Sequence, residues 1–310
     1  MLTQAVAGAL AGCVGCQAGV EMLQREVKDS LNLLTLATCV FVALEGVIFH
    51  GMLRVKQAIP TRVYFKIVCI FFVVNLCNNY AIKCDVYFPL FIIFKSGSLL
   101  ANIIFGYALR GHTYTTREIF SVFIVTGGIV IFTLASYERK SSASASALHF
   151  LGIPPFFIGV ALLTIALMLS AYLGVCQEDM YREHGKHAKE SMFMVHVLSI
   201  PGFLLLGGEI SEAFHAANRT EPLNLQGYDL IVPTAWAYIF AICLLQYICI
   251  NNVYRLTALT TSLNVTMVIS LRKFISLLVS FVAFGNPFNI FHFCGAFFVF
   301  VGSLMFSKVL

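Results

Sequence analysis

VYFPLFIIFKSGSLLANIIFGYAL (residues 86–109) and ALTTSLNVTMVISLRKFISLLVSF (residues 258–281) decide the fold. Each is apolar over enough residues to cross a bilayer as a helix. Each also carries basic side chains near its middle, Lys95 in the first and the pair Arg272 and Lys273 in the second. At that depth a cation survives only beside water, an acid or an anion. Both stretches therefore read as membrane helices whose charged face lines a passage for an anion.

The rest of the chain agrees with a polytopic membrane protein. Of its 310 residues 59% are hydrophobic and 11% charged, too apolar for a soluble domain of this length. Ten helices are predicted, over 3–23, 31–50, 63–81, 87–108, 117–136, 154–176, 191–208, 230–252, 258–284 and 288–308. The first has no basic region before it and no small-residue cleavage site after it, so it reads as a retained helix. The net charge of +5 is scattered over short loops, which excludes a nucleic-acid stripe. With a cytosolic N-terminus, eleven loop cations fall on the cytosolic side and six opposite, which places both termini in the cytosol. Asn218-Arg219-Thr220 is then a glycosylation sequon in the longest lumenal loop.

The run SSASASA (141–147) is the one low-complexity stretch and divides the chain. It predicts a first five-helix repeat over 1–140, a lumenal linker over 141–153 and a second repeat over 154–310. Five spans per half force the halves into opposite orientations, an inverted repeat. Lys95 precedes Gly128 by 33 residues and Lys273 precedes Gly302 by 29, which sets the two lysines at one depth on related helices.

Polar residues gather on the same faces. Lys95, Ser98 and Asn102 follow helical spacing in the fourth span, as do Ser262, Thr266, Ser270 and Lys273 in the ninth. Asn78, Asn79 and Tyr80 in the third span and Tyr247 and Asn251 in the eighth fit either base and sugar recognition or hydrogen bonding between helices. Glu45 is an intramembrane carboxylate that needs a cation or a proton. Gly8, Gly12, Gly15 and Gly19 predict close helix packing. The ten cysteines lie mostly in apolar stretches and predict no disulfide framework, and Cys13 and Cys16 predict no metal or redox centre. No metal and no cofactor are expected, and the absence of a DxD triplet argues against a glycosyl-transferring enzyme.

FKSGSLLANIIFG, QEDMYREHGKHAKESMFMVHVLSIPGF, QYICINNVYRLT and SLRKFISLLVSF together resemble one family over nearly the whole chain. They are similar to the nucleotide-sugar transporters of the drug/metabolite transporter superfamily, in the subfamily B branch of solute carrier family 35 that handles UDP-xylose and UDP-N-acetylglucosamine. The resemblance implies ten helices in two inverted halves and a Golgi or endoplasmic reticulum membrane. It also implies exchange of a cytosolic UDP-sugar for UMP, with a homodimer as a further expectation. It carries phosphate binding onto Lys273 and Lys95, with Arg272 assisting. It carries base recognition onto the helix-seven positions Phe193 and His196, and the polar faces add Glu45, Asn78, Asn79, Tyr80, Ser98, Asn102, Tyr247, Asn251, Thr266 and Ser270 as expected base and sugar contacts. The family's helix-seven motif FYNN or FYNH aligns with Phe193, Met194, Val195 and His196, so its Tyr and Asn are absent, and GALNK of helix nine is ISLRK here. Another phosphorylated nucleotide, an organic phosphate, or a regulatory protein with an idle site are the alternatives.

Overall fold

A computed structural model describes residues 2–52, 57–84, 86–143, 154–185, 187–225, 228–259, 262–286 and 288–306. The linker call over 141–153 falls mostly outside these residues, as do the chain ends. The helices are α1 (Leu2–Glu26), α2 (Leu31–His50), α3 (Thr61–Lys83), α4 (Phe88–Phe94), α5 (Ser98–Arg110), α6 (Thr116–Ala143) and α7 (Pro155–His184). There follow α8 (Ala188–Leu204), α9 (Gly207–Asn218), α10 (Thr234–Leu259), α11 (Ser262–Val282) and α12 (Ile290–Phe306). Among the described residues seven helices are long and apolar enough to span a membrane, eight if α8 and α9 count as one broken span. This is an all-α polytopic architecture, as expected.

Local chemistry sets the helix ends. Pro89 opens α4, where its missing N–H has no intrahelical partner to lose. Gly51 closes α2 and Gly111 closes α5, both in the left-handed region, and their N–H groups cap the last turns. Pro201 in the last turn of α8 removes a helical N–H, and the chain turns by 94° into α9. The helix expected over 191–208 therefore ends at Leu204. Two short strands, β1 (Pro222–Leu225) and β2 (Tyr228–Pro233), pair antiparallel after α9, an element the all-α reading did not contain.

Two compact units make up the fold. The first comprises Met1–Val14, Tyr80–Tyr172 and Ile248–Leu310, the second Gly15–Asn79 and Leu173–Tyr247. In the first, α6 and α12 pack along their length. A Cβ on Gly128 would lie 2.7 Å from the Gly295 carbonyl oxygen, and one on Gly302 would lie 2.8 Å from that of Ser121, so only glycine permits this approach. Buried His292 ties the same pair, with Nε2 3.3 Å from Ser136 Oγ. In the second unit, Ile59, Tyr64, Ile67, Met180, Phe193, Met194 and Val195 form a buried cluster. Glu190, at the start of α8, accepts the N–H groups of Ala58 and Ile59 and the Tyr64 hydroxyl, fixing the entry to α3.

The α1 glycines behave as packing residues. Gly8 lies against Asn252, Gly15 against Leu245 and Gly19 against Ile242, all on α10.

Candidate functional site

The stretch over 86–109 forms two helices rather than one. α4 stops at Phe94, a 3-10 turn covers Lys95–Gly97, and α5 begins at Ser98. Ser96, Gly97 and Ser98 are weak helix formers together. Gly97 also fits tightly, since a Cβ there would lie 3.0 Å from Leu167 and 3.1 Å from Ile129. The tighter turn frees backbone carbonyls from the α-helical ladder. The Lys95 carbonyl oxygen uses that freedom by accepting a hydrogen bond from Lys273 Nζ at 3.2 Å.

Lys273 and Lys95 thus meet at a break between two helices. Lys95 Nζ lies 4.1 Å from the centre of the Phe91 ring, one turn earlier on α4. Lys273 lines a cleft with Ile92, Ser96 and Ser270 on one side and Val299, Phe300 and Ser303 of α12 on the other. The Lys273 ammonium and the hydroxyls of Ser96, Ser270 and Ser303 supply charge and hydrogen-bond donors to an anion entering this cleft. Phe91, Ser96 and Ser303 were not singled out from sequence. Phe91 had a usable signal, because it stands four residues before Lys95 on one helix face.

Arg272 faces elsewhere. Its Nη1 donates to Cys13 Sγ at 3.0 Å and to Cys249 Sγ at 3.4 Å. Those two cysteines form a disulfide between α1 and α10. The expectation of no disulfide is corrected here: apolar surroundings make each cysteine look like a small hydrophobe, yet the packing of α1 on α10 brings these two into bonding distance. Cys16 lies outside this disulfide, its Sγ donating to Gln246 Oε1 at 4.0 Å, so the CxxC spacing is not what pairs Cys13.

The second unit holds a separate polar cluster. Glu45 is buried, and its Oε1 accepts the Tyr247 hydroxyl at 2.8 Å and lies 3.2 Å from His50 Nε2. Glu45 Oε2 has no hydrogen-bond partner among the described residues. Glu45 is therefore engaged by His50 and Tyr247 rather than by a lysine. Asn79 donates to Asn32 Oδ1 at 2.9 Å and to Thr35 Oγ1 at 3.1 Å, while Asn32 donates to Glu209 Oε2 at 3.0 Å. This network joins α3, α2 and α9.

The other sequence-selected residues distribute as follows. Phe193 is buried against Gly46, and its neighbours Met194 and Val195 share the same core, so the aligned base-recognition positions are filled by packing. His196 Nδ1 lies 2.7 Å from the Met192 carbonyl oxygen, and its ring meets Phe71 edge-on. Asn102 and Asn251 are exposed, Ser98, Asn78 and Tyr80 partly buried. The Thr266 side chain lies outside the described residues. Asn218 ends α9 exposed, its Oδ1 accepting from Trp236 Nε1 at 2.7 Å. No group of three or more His, Cys, Asp or Glu side chains suited to a metal occurs among the described residues.

Comparison with known proteins places these features in a family. The chain is 37% identical over 305 residues to the UDP-xylose and UDP-N-acetylglucosamine transporter of Danio rerio, covering 96% of this chain and 92% of the relative. It is 38% identical over 320 residues to the endoplasmic reticulum GDP-fucose transporter of Drosophila melanogaster, covering 99% of this chain and 91% of the relative. A crystal structure at 12% identity matches 99% of this chain and 98% of its own with a TM-score of 0.58, a likeness of fold alone. The model of the UAA transporter family matches residues 1–310, and the chain belongs to that family of transporters.

Proposed function

We propose that the protein carries a nucleotide-sugar, UDP-N-acetylglucosamine or UDP-xylose, from the cytosol into the lumen of the Golgi or endoplasmic reticulum in exchange for UMP. The observation that carries this reading is the junction of Lys273 with the broken helix at Lys95, where the Lys273 ammonium lines a cleft and bonds the backbone of the residue that carries the second ammonium. Their positive charge suits the diphosphate of the incoming sugar and the phosphate of the departing monophosphate. An empty cleft holds like charges together in a poorly solvated site, which disfavours return without an anion and makes exchange the natural cycle. The printed functions of the two relatives add support for nucleotide-sugars as the cargo class.

The ten spans work as two inverted five-helix repeats, 1–140 and 154–310, with both termini cytosolic, and rock between inward-open and outward-open states. Support comes from Gly128 and Gly302. They stand at matched positions after Lys95 and Lys273, and each meets the backbone of the other's helix. Asn218 is exposed at the end of α9, on the side that this topology makes lumenal, and it is the glycosylation site of the scheme.

The test is uptake of radiolabelled UDP-N-acetylglucosamine and UDP-xylose by purified protein in liposomes, with and without internal UMP. Internal UMP is expected to stimulate uptake, and Lys273→Ala to reduce it by at least about tenfold, since a charged hydrogen bond is worth about 1.5–3 kcal/mol. Near-normal uptake by a folded Lys273→Ala protein would refute the phosphate role. A GDP-sugar as cargo is the second reading. It is favoured by the Drosophila relative's name, and competition by GDP-fucose decides between the two.

A further inference from the structure

Arg272 makes an unusual use of its charge. A disulfide sulfur is a weak hydrogen-bond acceptor and carries no charge, whereas a thiolate is an anion that a guanidinium stabilises strongly. Yet one nitrogen of Arg272 contacts both sulfurs of the Cys13–Cys249 pair, at 3.0 and 3.4 Å, inside the membrane-spanning part of the first unit. Both cysteines are buried, and the pair joins α1 to α10 across 236 residues of sequence. Arg272 is bonded through the backbone to Lys273, whose ammonium lines the anion cleft. The same guanidinium is thus positioned for the reduced pair as well as for the oxidised one.

We propose that Cys13 and Cys249 form a reversible dithiol–disulfide site, with Arg272 holding the thiolate of the reduced form, so that the oxidation state of the pair sets the net charge beside the anion cleft. In the reduced form one thiol gives up its proton to solvent, and the resulting anion offsets the guanidinium. In the oxidised form neither sulfur is charged, and the net charge beside the cleft is more positive by one unit.

Oxidation needs a partner, a small-molecule disulfide. The Arg272-paired thiolate attacks one of its sulfurs, forming a mixed disulfide and expelling one small thiolate. The second protein cysteine loses its proton and attacks the mixed disulfide at the protein sulfur, expelling the other small thiolate. One protein disulfide and two small thiols result, and two electrons have passed to the small molecule. Reduction by a small dithiol reverses these steps. The effect on phosphate binding rests on the nucleotide-sugar reading above, while the thiol chemistry does not.

The experiment uses the purified full chain in detergent and has three readouts. Differential alkylation with mass spectrometry, after dithiothreitol or after oxidised glutathione, should show Cys13 and Cys249 switching together between free and paired forms. A pair that stays locked in one state under both treatments overturns the site. The alkylation rate of the reduced pair, followed from pH 6 to 9, should fall by about tenfold or more at neutral pH in Arg272→Ala. An unchanged rate and pH profile overturns the role of Arg272.

Inorganic pyrophosphate binding should be at least about fivefold weaker to reduced than to oxidised protein, and redox-independent in the Cys13→Ser/Cys249→Ser double variant. Equal affinity in both states of the unmodified protein overturns the charge coupling. If pyrophosphate binds neither state while the first two readouts hold, the phosphate reading of the cleft falls and the thiol site stands. Should the double variant fail to fold, the first two readouts still decide, because neither uses it.

Discussion

Gly127 and Gly128 are neighbours on α6, and replacing each by alanine should have opposite effects. A Cβ on Gly127 meets nothing within 4 Å. Alanine there gains helix propensity, worth up to about 1 kcal/mol. A Cβ on Gly128 would lie 2.7 Å from the Gly295 oxygen, 2.9 Å from Val299 N and 2.9 Å from Val299 Cγ2. Two of those three atoms belong to the backbone of α12 and cannot rotate away. To restore an ordinary contact of 3.4 Å, the helices must part by about 0.7 Å along that direction.

A gap of 0.5–1 Å removes about a quarter to a half of each dispersion contact along the seam. Overpacking of this kind costs about 1–3 kcal/mol. After the propensity gain, Gly128→Ala should lose up to about 2 kcal/mol, and because that gain is common to both variants they should differ by the overpacking cost, about 1–3 kcal/mol. Denaturant unfolding of the purified protein in mixed micelles, read by circular dichroism, gives this difference directly. Gly295→Ala should follow Gly128→Ala, because its Cβ would lie 2.8 Å from the Gly128 oxygen. Equal stability of Gly127→Ala and Gly128→Ala would refute the close α6–α12 seam. The seam matters to the site, because Val299 and Phe300 on α12 also line the Lys273 cleft.

Two further outcomes are expected from the second unit. Tyr247→Phe removes the hydroxyl that donates to buried Glu45 and should destabilise the protein by about 1.5–3 kcal/mol in the same unfolding assay. The loss should shrink when Glu45→Gln is combined with it, and full additivity would show that the two side chains are not coupled. Glu190→Ala strips the acceptor from the N–H groups of Ala58 and Ile59 and from the Tyr64 hydroxyl, and should cost about 2 kcal/mol or more. Amide exchange at Ala58 and Ile59 should accelerate in that variant, and unchanged protection there would count against the contact.

Sequence by itself determined the all-α, membrane-spanning class and the presence of cations within apolar helices. Long apolar runs have one stable form in hydrocarbon, because every backbone polar group must be satisfied within the segment. The apolar segments, though not their ends, therefore followed from composition, and Lys95 and Lys273 stood out because no acidic residue stands near either in the sequence. The same reasoning could not say what Asn79 does, since an amide facing a ligand and one facing another helix lie on the same polar stripe. Tertiary structure alone supplied its partners, Asn32 and Thr35. It also broke the fourth span at Lys95–Gly97, where the carbonyl of one lysine meets the ammonium of the other. The Cys13–Cys249 pair was invisible for a related reason. Periodicity reports which face of a helix is buried, whereas a bond across 236 residues depends on which two faces meet, and only packing decides that.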